Sequence, residues 1–271
     1  SDVHGSTSAY KQLAAKREAD IASAGPAAGG SSSGSLPAAS GKGQVVSVGK
    51  GYMWVPPDAK AGNYHLIIYL HGTESNANAV VNFDDVAAVA DKFVNKNSHV
   101  PFIIVGPETS GQYFDDFSAN SVLKDAQAKL NSVSDGIKID PSKVSLTGHS
   151  GAGCQGGLVK TGTIYSQKFY AMGLIDSCSK ASRVSIIEPR SNRLLFIFGN
   201  FAHTVGSNDV AGQKKALGAT TSMSCPSSSY QKIVQCYTDG GNHYAFDLGS
   251  GAEHWHTIET GMEQFLKLFF S

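Results

Sequence analysis

The chain has 271 residues, 41% of them hydrophobic, and its 22 basic side chains balance 22 acidic ones. This composition predicts one globular domain with a sizeable core. The zero net charge gives no electrostatic reason to expect a nucleic-acid or membrane-surface partner. No apolar run approaches the roughly 18 residues that a membrane span needs.

The first 43 residues differ in composition from the rest. Tyr10–Ala24 is Ala-rich and has the periodicity of a helix, whereas Gly25–Gly43 is a Gly/Ser/Ala/Pro tract typical of a flexible linker. We therefore divide the chain into an N-terminal helix and linker, residues 1–43, and a larger domain, residues 44–271. The chain opens at Ser1 without a Met, as expected after removal of a signal peptide or from an artificial start.

From residue 44 onward, apolar strands alternate with amphipathic helices. The predicted strands are Gln44–Val48, Tyr52–Val55, Leu66–Leu70, Phe102–Val105, Val144–Thr147, Tyr170–Ile175, Leu194–Phe198 and Ile233–Tyr237. The predicted helices are Asp84–Val94, Ser121–Asn131, a Gly-rich helix after the fifth strand, and Thr257–Phe270. Continuous apolar strands separated by helices predict an α/β domain with a mostly parallel sheet covered on both faces.

The most informative motif is Gly148-His149-Ser150-Gly151-Ala152, which directly follows the fifth strand. Gly148 and Ala152 lie two positions on either side of Ser150, where a strained strand-to-helix turn needs residues without bulk. The motif is the Gly-x-Ser-x-Ala variant of the nucleophile elbow. It predicts that Ser150 is a catalytic nucleophile.

With this elbow after the fifth strand, the segment from Gln44 to Phe270 resembles an α/β-hydrolase. A second motif, Leu70-His71-Gly72-Thr73, ends the strand two before the elbow, where this family places its oxyanion loop. The resemblance implies an oxyanion hole made by the backbone N–H groups of Thr73 and Gly151. Pro101–Glu108 and the Cys/Gly-rich end also resemble the secreted polyhydroxybutyrate-depolymerase and feruloyl-esterase branch, although the acid motif of that branch is missing.

A serine nucleophile needs a histidine to take its proton and a carboxylate to orient the imidazole. In this family the acid lies between the serine and the histidine along the chain. No carboxylate follows Gly199, where the acid is usually found, and the next one is Asp209. Asp176 ends the strand beside the elbow strand, so we favour Asp176 and keep Asp209 as the alternative. As structural residues, Asp176 would cap a helix and Asp209 would lie in a solvated loop.

Three histidines after the last predicted strand are candidates for the base. We favour His254, whose His-Trp pair before the closing helix is common among α/β-hydrolases, over His243 and then His256. We expect His149 to pack under the elbow and His71 to shape the oxyanion loop. His254 and His256 have no third ligand at a fitting spacing, so no metal site is predicted, and no motif indicates a cofactor.

The four cysteines favour an exported protein with two disulfides, against the alternative of four buried thiols in a cytosolic protein. We prefer Cys154–Cys178 and Cys225–Cys236 among the three possible connectivities. Cys154 would lie one turn after the elbow, and Cys178 would follow the neighbouring strand.

The segment Ser177–Arg193 is too short to hold the helical cap that this family often carries after the strand of Asp176. We therefore expect no large cap domain and an open cleft, walled by the loops Thr73–Asn78, Gln112–Phe117 and His243–His254. The aromatic residues expected to line it are Tyr113, Phe114, Phe117, Tyr244, Phe246 and Trp255.

Three functions compete. The first is a secreted or periplasmic serine hydrolase of the carboxylesterase or lipase-like type, a monomer without cofactor that cleaves small or polymeric esters. The second is a serine peptidase or amidase that acts on peptides or cell-wall material. The third is a binding module with a decayed triad, for which the missing acid after Gly199 is the only sequence support. We favour the first.

Overall fold

A computed structural model describes residues 34–72, 79–108, 114, 118–154 and 167–271. The helix expected at Tyr10–Ala24 lies outside these residues. Of the Gly-rich helix expected after the fifth strand, only a 3-10 turn, Ser150–Gly153, lies within them. Ten strands of the described chain form one sheet: β1 Gln44–Val48, β2 Gly51–Val55, β3 Gly62–Leu70, β4 Phe102–Gly106, β5 Ile137–His149, β6 Met172–Ile175, β7 Leu194–Phe198, β8 Thr221–Met223, β9 Gln235–Thr238 and β10 His243–Asp247.

The strand order is β1-β2-β4-β3-β5-β6-β7-β10-β9-β8. Six central strands, β4, β3, β5, β6, β7 and β10, run parallel to one another. The outer strands, β1 and β2 on one side and β9 and β8 on the other, pair in antiparallel fashion. The carboxyl ends of the six parallel strands therefore meet at one edge of the sheet, which is where α/β proteins place their sites.

Helices cover both faces of the sheet. The described helices are α1 Ala79–Lys96, α2 Ala119–Val133, α3 Ala181–Ile187, α4 Asn200–Thr204, α5 Val210–Leu217 and α6 Thr257–Phe269. Along β3, Leu66 and Ile68 belong to a core shared with α2, α3 and α5, whereas Ile67 and Tyr69 belong to a core shared with α1 and α6. This alternation follows from the two-residue period of a strand, and it confirms the predicted α/β sheet with helices on both faces.

The sequence analysis missed the last strand. The expected final strand, Ile233–Tyr237, corresponds to β9, and the chain then turns back into β10, which pairs in parallel with β7. His243 pairs with Leu194 at the start of β7, and Asp247 pairs with Phe198 at its end. His243 is thus part of a strand rather than of a loop after one.

The described part of the expected linker contacts the domain. Leu36 forms a β-bridge with His99, and the N–H of Gly43 donates to Asp91 at 2.7 Å. Residues 36–43 therefore differ from the flexible tether that their composition predicts. The boundary at residue 44 remains a prediction.

Both predicted disulfides are confirmed, Cys154–Cys178 and Cys225–Cys236. The segment between β6 and β7 holds α3 and a 3-10 turn, Glu188–Arg190, rather than a cap domain. None of the described helices is long and apolar enough to cross a membrane.

Candidate active site

Ser150 and Asp176 lie side by side at the carboxyl edge of the sheet. Each follows the last residue of its strand, and those last residues, His149 of β5 and Ile175 of β6, are register partners. Both Ser150 (φ 53°) and Asp176 (φ 42°) have the left-handed backbone that non-glycine residues seldom adopt. Such strain is found at sites where a side chain must be aimed in a fixed direction.

Ser150 opens a 3-10 turn, Ser150–Gly153, whose residues are buried. The turn is packed too closely for larger neighbours. A Cβ on Gly72 would lie 3.1 Å from Ser150 Cβ, and a Cβ on Gly153 would lie 2.2 Å from Leu174 Cδ1. Gly72 and Gly153 therefore leave no room for a side chain beside this turn.

The Asp176 carboxylate is fully buried and accepts four hydrogen bonds. Its Oδ1 accepts from the backbone N–H groups of Gly199 (2.8 Å) and Ala202 (2.9 Å). Its Oδ2 accepts from the N–H of Phe201 (3.2 Å) and from Nδ1 of His254 (2.6 Å). Three of these donors lie at the start of α4, directly after β7, where no acid follows Gly199 in the sequence.

These contacts decide the charge of Asp176. Burial, the largest single effect, raises the pKa of the carboxyl group. The hydrogen bonds from His254, Ala202 and Gly199 and the charge of His254 outweigh burial, so that the pKa lies below its ordinary value. The group is an anion at neutral pH.

The imidazole of His254 is held between two rings. Its Nδ1 donates to Asp176, Phe201 stacks on it with centroids 5.1 Å apart and planes at 28°, and His149 packs at 4.5 Å and 32°. The bond to a carboxylate fixes the tautomer with the proton on Nδ1, which leaves Nε2 as the free basic nitrogen. Trp255 packs edge-on at 5.1 Å.

The alternative acid and bases have other partners. Asp209 caps α5 and accepts from the N–H of Gly212 at 2.8 Å. His243 begins β10, roughly 13 Å along that strand from the carboxyl edge, and its Nδ1 donates to the carbonyl of Leu217 at 3.1 Å. His256 is exposed and binds Glu259 at 3.0 Å.

Only one of the two predicted oxyanion-hole residues lies in the described part of the chain. Gly151 lies in the buried turn after Ser150, whereas Thr73 lies outside the described residues. The strand that leads to it ends at Leu70, and Nδ1 of His71 is 2.8 Å from the carbonyl of Gly72.

The expected aromatic cleft needs correction. Phe114 and Phe246 are buried, and their rings pack against His71 and Tyr244 respectively. Tyr244 is half-buried against Phe269. Trp255 alone of the described candidates has a ring substantially exposed, at 38%. Tyr113 and Phe117 lie outside the described residues.

Sequence reasoning missed the backbone donors for Asp176. The available signal was Gly199 itself, which begins α4 without a capping side chain and so leaves the first N–H groups of that helix in need of an acceptor. It also missed a second His–Asp pair at the same edge, His203 and Asp247, whose Nε2 and Oδ1 are 2.7 Å apart. No group of three or more His, Cys, Asp or Glu side chains in the described chain is placed to hold a metal ion.

Solved structures of similar fold include several esterases. A ferulic acid esterase from Anaeromyces mucronatus shares 16% identity over 81% of this chain and 84% of its own, with a TM-score of 0.55. A further ferulic acid esterase shares 14% identity over 83% and 96% of the two chains, with a TM-score of 0.51. The feruloyl esterase module of Clostridium thermocellum shares 14% identity over 82% and 87%, with a TM-score of 0.50.

No protein-family model and no curated protein sequence matches the chain. The structural likeness at such low identity shows the fold. The chain has the α/β-hydrolase fold, and Ser150 follows β5 in a turn with positive φ.

Proposed function

We propose that this protein is a serine hydrolase that cleaves carboxylic esters through Ser150, His254 and Asp176. The observation that carries the proposal is the 2.6 Å bond between His254 Nδ1 and the buried Asp176 carboxylate, beside the positive-φ turn of Ser150. A serine, a histidine and a carboxylate in these roles are recognised by geometry and not by sequence position.

The reaction follows from the roles of these atoms. His254 Nε2 takes the proton of Ser150 Oγ while Oγ attacks the acyl carbon, and Asp176 stabilises the imidazolium that forms. The N–H groups of Gly151 and Thr73 bind the oxyanion. His254 then gives its proton to the departing alcohol, which leaves an acyl-enzyme, and a water molecule repeats the sequence to release the acid. Each oxyanion donor contributes about 2.7–4 kcal/mol in enzymes of this type.

The position of Asp176 argues against a decayed triad. The loop after β7 lacks a carboxylate, yet its N–H groups at Gly199, Phe201 and Ala202 bind the carboxylate that β6 supplies. A degraded site would leave these donors without an anion. We therefore infer that β6, rather than β7, supplies the acid of the proposed triad.

The substrate proposal rests on surface chemistry near His254. The structures of the esterases from Anaeromyces mucronatus and Clostridium thermocellum are described with ferulic acid and with sinapinate, both of which carry an aromatic ring. Trp255 exposes an aromatic surface beside the base in this chain. We propose esters with an aromatic or extended acyl group as substrates.

An exported location belongs to the same proposal. Two disulfides, Cys154–Cys178 and Cys225–Cys236, are typical of proteins that fold in an oxidising compartment. Isolation from the natural source followed by alkylation in denaturant, without reduction, tests it, because denaturant exposes any thiols that the folded chain buries. We expect no reaction, whereas four alkylated thiols would contradict an exported protein.

The function is tested with paired ester and anilide substrates, including feruloyl, sinapoyl and short acyl esters. We expect turnover of esters by the wild type and its loss in Ser150→Ala and His254→Ala, with His243→Ala as the matched control that stays active. Cleavage of anilides without esters would favour the peptidase alternative. Ester turnover by a folded Ser150→Ala variant would overturn the proposal.

A further inference from the structure

His149 is a buried histidine that the proposed reaction does not use. It is fully shielded from solvent beneath the elbow, directly before Ser150. Its Nε2 lies 3.0 Å from the backbone carbonyl oxygen of His254, and its ring packs on the His254 imidazole with centroids 4.5 Å apart. One side chain thus contacts both the main chain and the ring of the proposed base.

The hydrogen bond determines the tautomer of His149. A carbonyl oxygen can only accept, so Nε2 carries the proton and donates it, and Nδ1 keeps its lone pair. Nδ1 has no hydrogen-bond partner among the described residues and faces Gly72, where a Cβ would approach it to 3.0 Å. The ring is therefore oriented so that Nε2 makes its hydrogen bond to the His254 carbonyl.

His149 stays neutral while its neighbour changes charge. The titratable groups that face it are His254, Asp176 and His71. Burial, followed by the charge of His254, lowers the pKa of His149 to about 3, although the bond to the His254 carbonyl and the charge of Asp176 partly oppose this. When His254 becomes an imidazolium during turnover, His149 neither competes for the proton nor loses its bond.

We propose that His149 is a positioning residue, whose Nε2–H bond to the carbonyl of His254 holds the base-bearing turn against the nucleophile elbow. The inference rests on the proposed function, since it assigns a task to the neighbour of the proposed base. His149 does not touch the reacting atoms, and it acts through His254.

The His254 carbonyl has a second partner whose task differs. Thr257 Oγ1 donates to the same oxygen at 2.5 Å, and the Thr257 N–H lies 3.3 Å from it. These bonds join residues three positions apart and close the turn that begins α6, and the same Oγ1 also lies 3.3 Å from His149 Nε2. The shorter bond from His149 Nε2 to the carbonyl, at 3.0 Å, joins positions 105 residues apart and links this turn to the residue before Ser150.

Placement of this kind has a measurable effect on rate. Asp176 fixes the Nδ1 side of the His254 ring, while the bond from His149 fixes its main chain. A displacement of about 1 Å in a reacting group can cost roughly 10²-fold in rate. We therefore expect loss of the His149 bond to lower kcat by about 10²-fold and to leave KM nearly unchanged, because substrate contacts are not altered.

Two variants separate the hydrogen bond from the ring. His149→Gln keeps an N–H donor at the reach of Nε2 without an aromatic ring, and His149→Phe keeps a ring without a donor. We expect the Gln variant to retain most of the wild-type kcat and the Phe variant to lose it. His149→Leu, which lacks both groups, should behave like Phe. Thr257→Val removes the local bond and the 3.3 Å contact of Oγ1 with His149 Nε2 but keeps the bond from His149 Nε2 to the carbonyl, so it should cost less than His149→Phe.

A spectroscopic measurement accompanies the kinetics. The proton on His254 Nδ1, bonded to Asp176, gives a downfield proton NMR resonance that should stay sharp in His149→Gln and broaden in His149→Phe. Equal kcat in the Gln and Phe variants, or full kcat in a folded Leu variant, would overturn the inference. A different result would contradict the proposed function itself: His254→Ala would then remain active. If the Leu variant does not fold, the Gln and Phe pair still decides the question.

Discussion

At the scale of single residues, the proposed chemistry depends on how Asp176 keeps its charge. A buried carboxylate without partners would take up a proton, because burial alone raises its pKa. Asp176 stays ionised because three backbone N–H groups and His254 surround it with donors. The same four donors fix its orientation, so that Oδ2 faces the imidazole.

Asp176→Asn should lower kcat by about 10⁴-fold. Every partner of this side chain is a donor, so the amide NH₂ must face one of them. Turning it towards His254 disturbs fewer bonds to the backbone, and this forces the proton of His254 onto the wrong nitrogen. Asp209→Asn is the matched control, because asparagine caps a helix about as well as aspartate and its activity should equal that of the wild type. If steady-state kinetics showed a larger loss of kcat in Asp209→Asn than in Asp176→Asn, the acid would be Asp209.

Gly199→Ala should impair the site without any change in a charged residue. A Cβ at Gly199 would lie 2.6 Å from Thr257 Cγ2 and 2.9 Å from Asp176 Oδ2, so the acid or the loop must shift. We expect a reduced kcat and a lower melting temperature. Gly206→Ala, with no atom within 4 Å of the new Cβ, is the control and should change neither. Unaltered kcat in Gly199→Ala would mean that the loop does not orient Asp176.

At the scale of elements, the continuously apolar strands could be predicted from the sequence, and β10 could not. Leu194–Phe198 was predicted with the bounds that β7 has, because five consecutive apolar residues stand between polar ones. β10 was missed because its two ends are polar, His243 and Asp247, so that His243 was assigned to the segment after the last strand. This error is what kept His243 as a candidate base.

The site was predictable where local sequence constrains the backbone. The turn of Ser150 has a motif of its own, since small flanking residues are a steric need of that turn. Three of the donors to Asp176 are backbone N–H groups at the start of α4, and nothing in the side chains there reveals the contact. The bond from His149 to the His254 carbonyl is hidden for the same reason.

The two disulfides should differ in their effect on activity. Cys154–Cys178 joins the turn after Ser150 to the loop after Asp176. In that loop, Ser177 Oγ donates to the Ser150 carbonyl at 2.6 Å. Replacing both cysteines by alanine should cost about 2–5 kcal/mol in unfolding free energy and also reduce kcat.

The second disulfide supplies the control for the first. Cys225–Cys236 ties β9 to the loop after β8, near the edge of the sheet and four strands away from β5, the strand that leads to Ser150. Its double alanine variant should lose stability to denaturant and keep kcat. Loss of kcat in both variants alike would indicate a general effect of stability rather than a link between elbow and acid loop.

At the scale of the whole molecule, acid should destabilise the fold through two buried histidines. Burial lowers the pKa of His149 to about 3 and, with the charge of Lys143, that of His65 to about 4, against an ordinary value of 6.5. Between these values the unfolded chain binds more protons than the folded one, so stability is complete above about pH 6.5 and declines towards pH 4. The lowered pKa of Asp176 extends the decline to lower pH.

Urea unfolding from about pH 8 to 4 measures this slope, which is up to about 1.4 kcal/mol per pH unit for each proton. His65→Gln removes one titrating group far from Ser150 and should flatten the slope without shifting the pH profile of activity. A variant with the wild-type slope would show that His65 does not contribute to acid unfolding.

The most direct measurement is the mapping of a fluorophosphonate label by peptide mass spectrometry, because the reagent forms a stable adduct with a serine activated by a neighbouring base. We expect one adduct, on Ser150, that is absent from folded Ser150→Ala and His254→Ala variants and present in His243→Ala. An adduct on another serine, or labelling that persists in His254→Ala, would contradict the assignment of Ser150 and His254 as nucleophile and base.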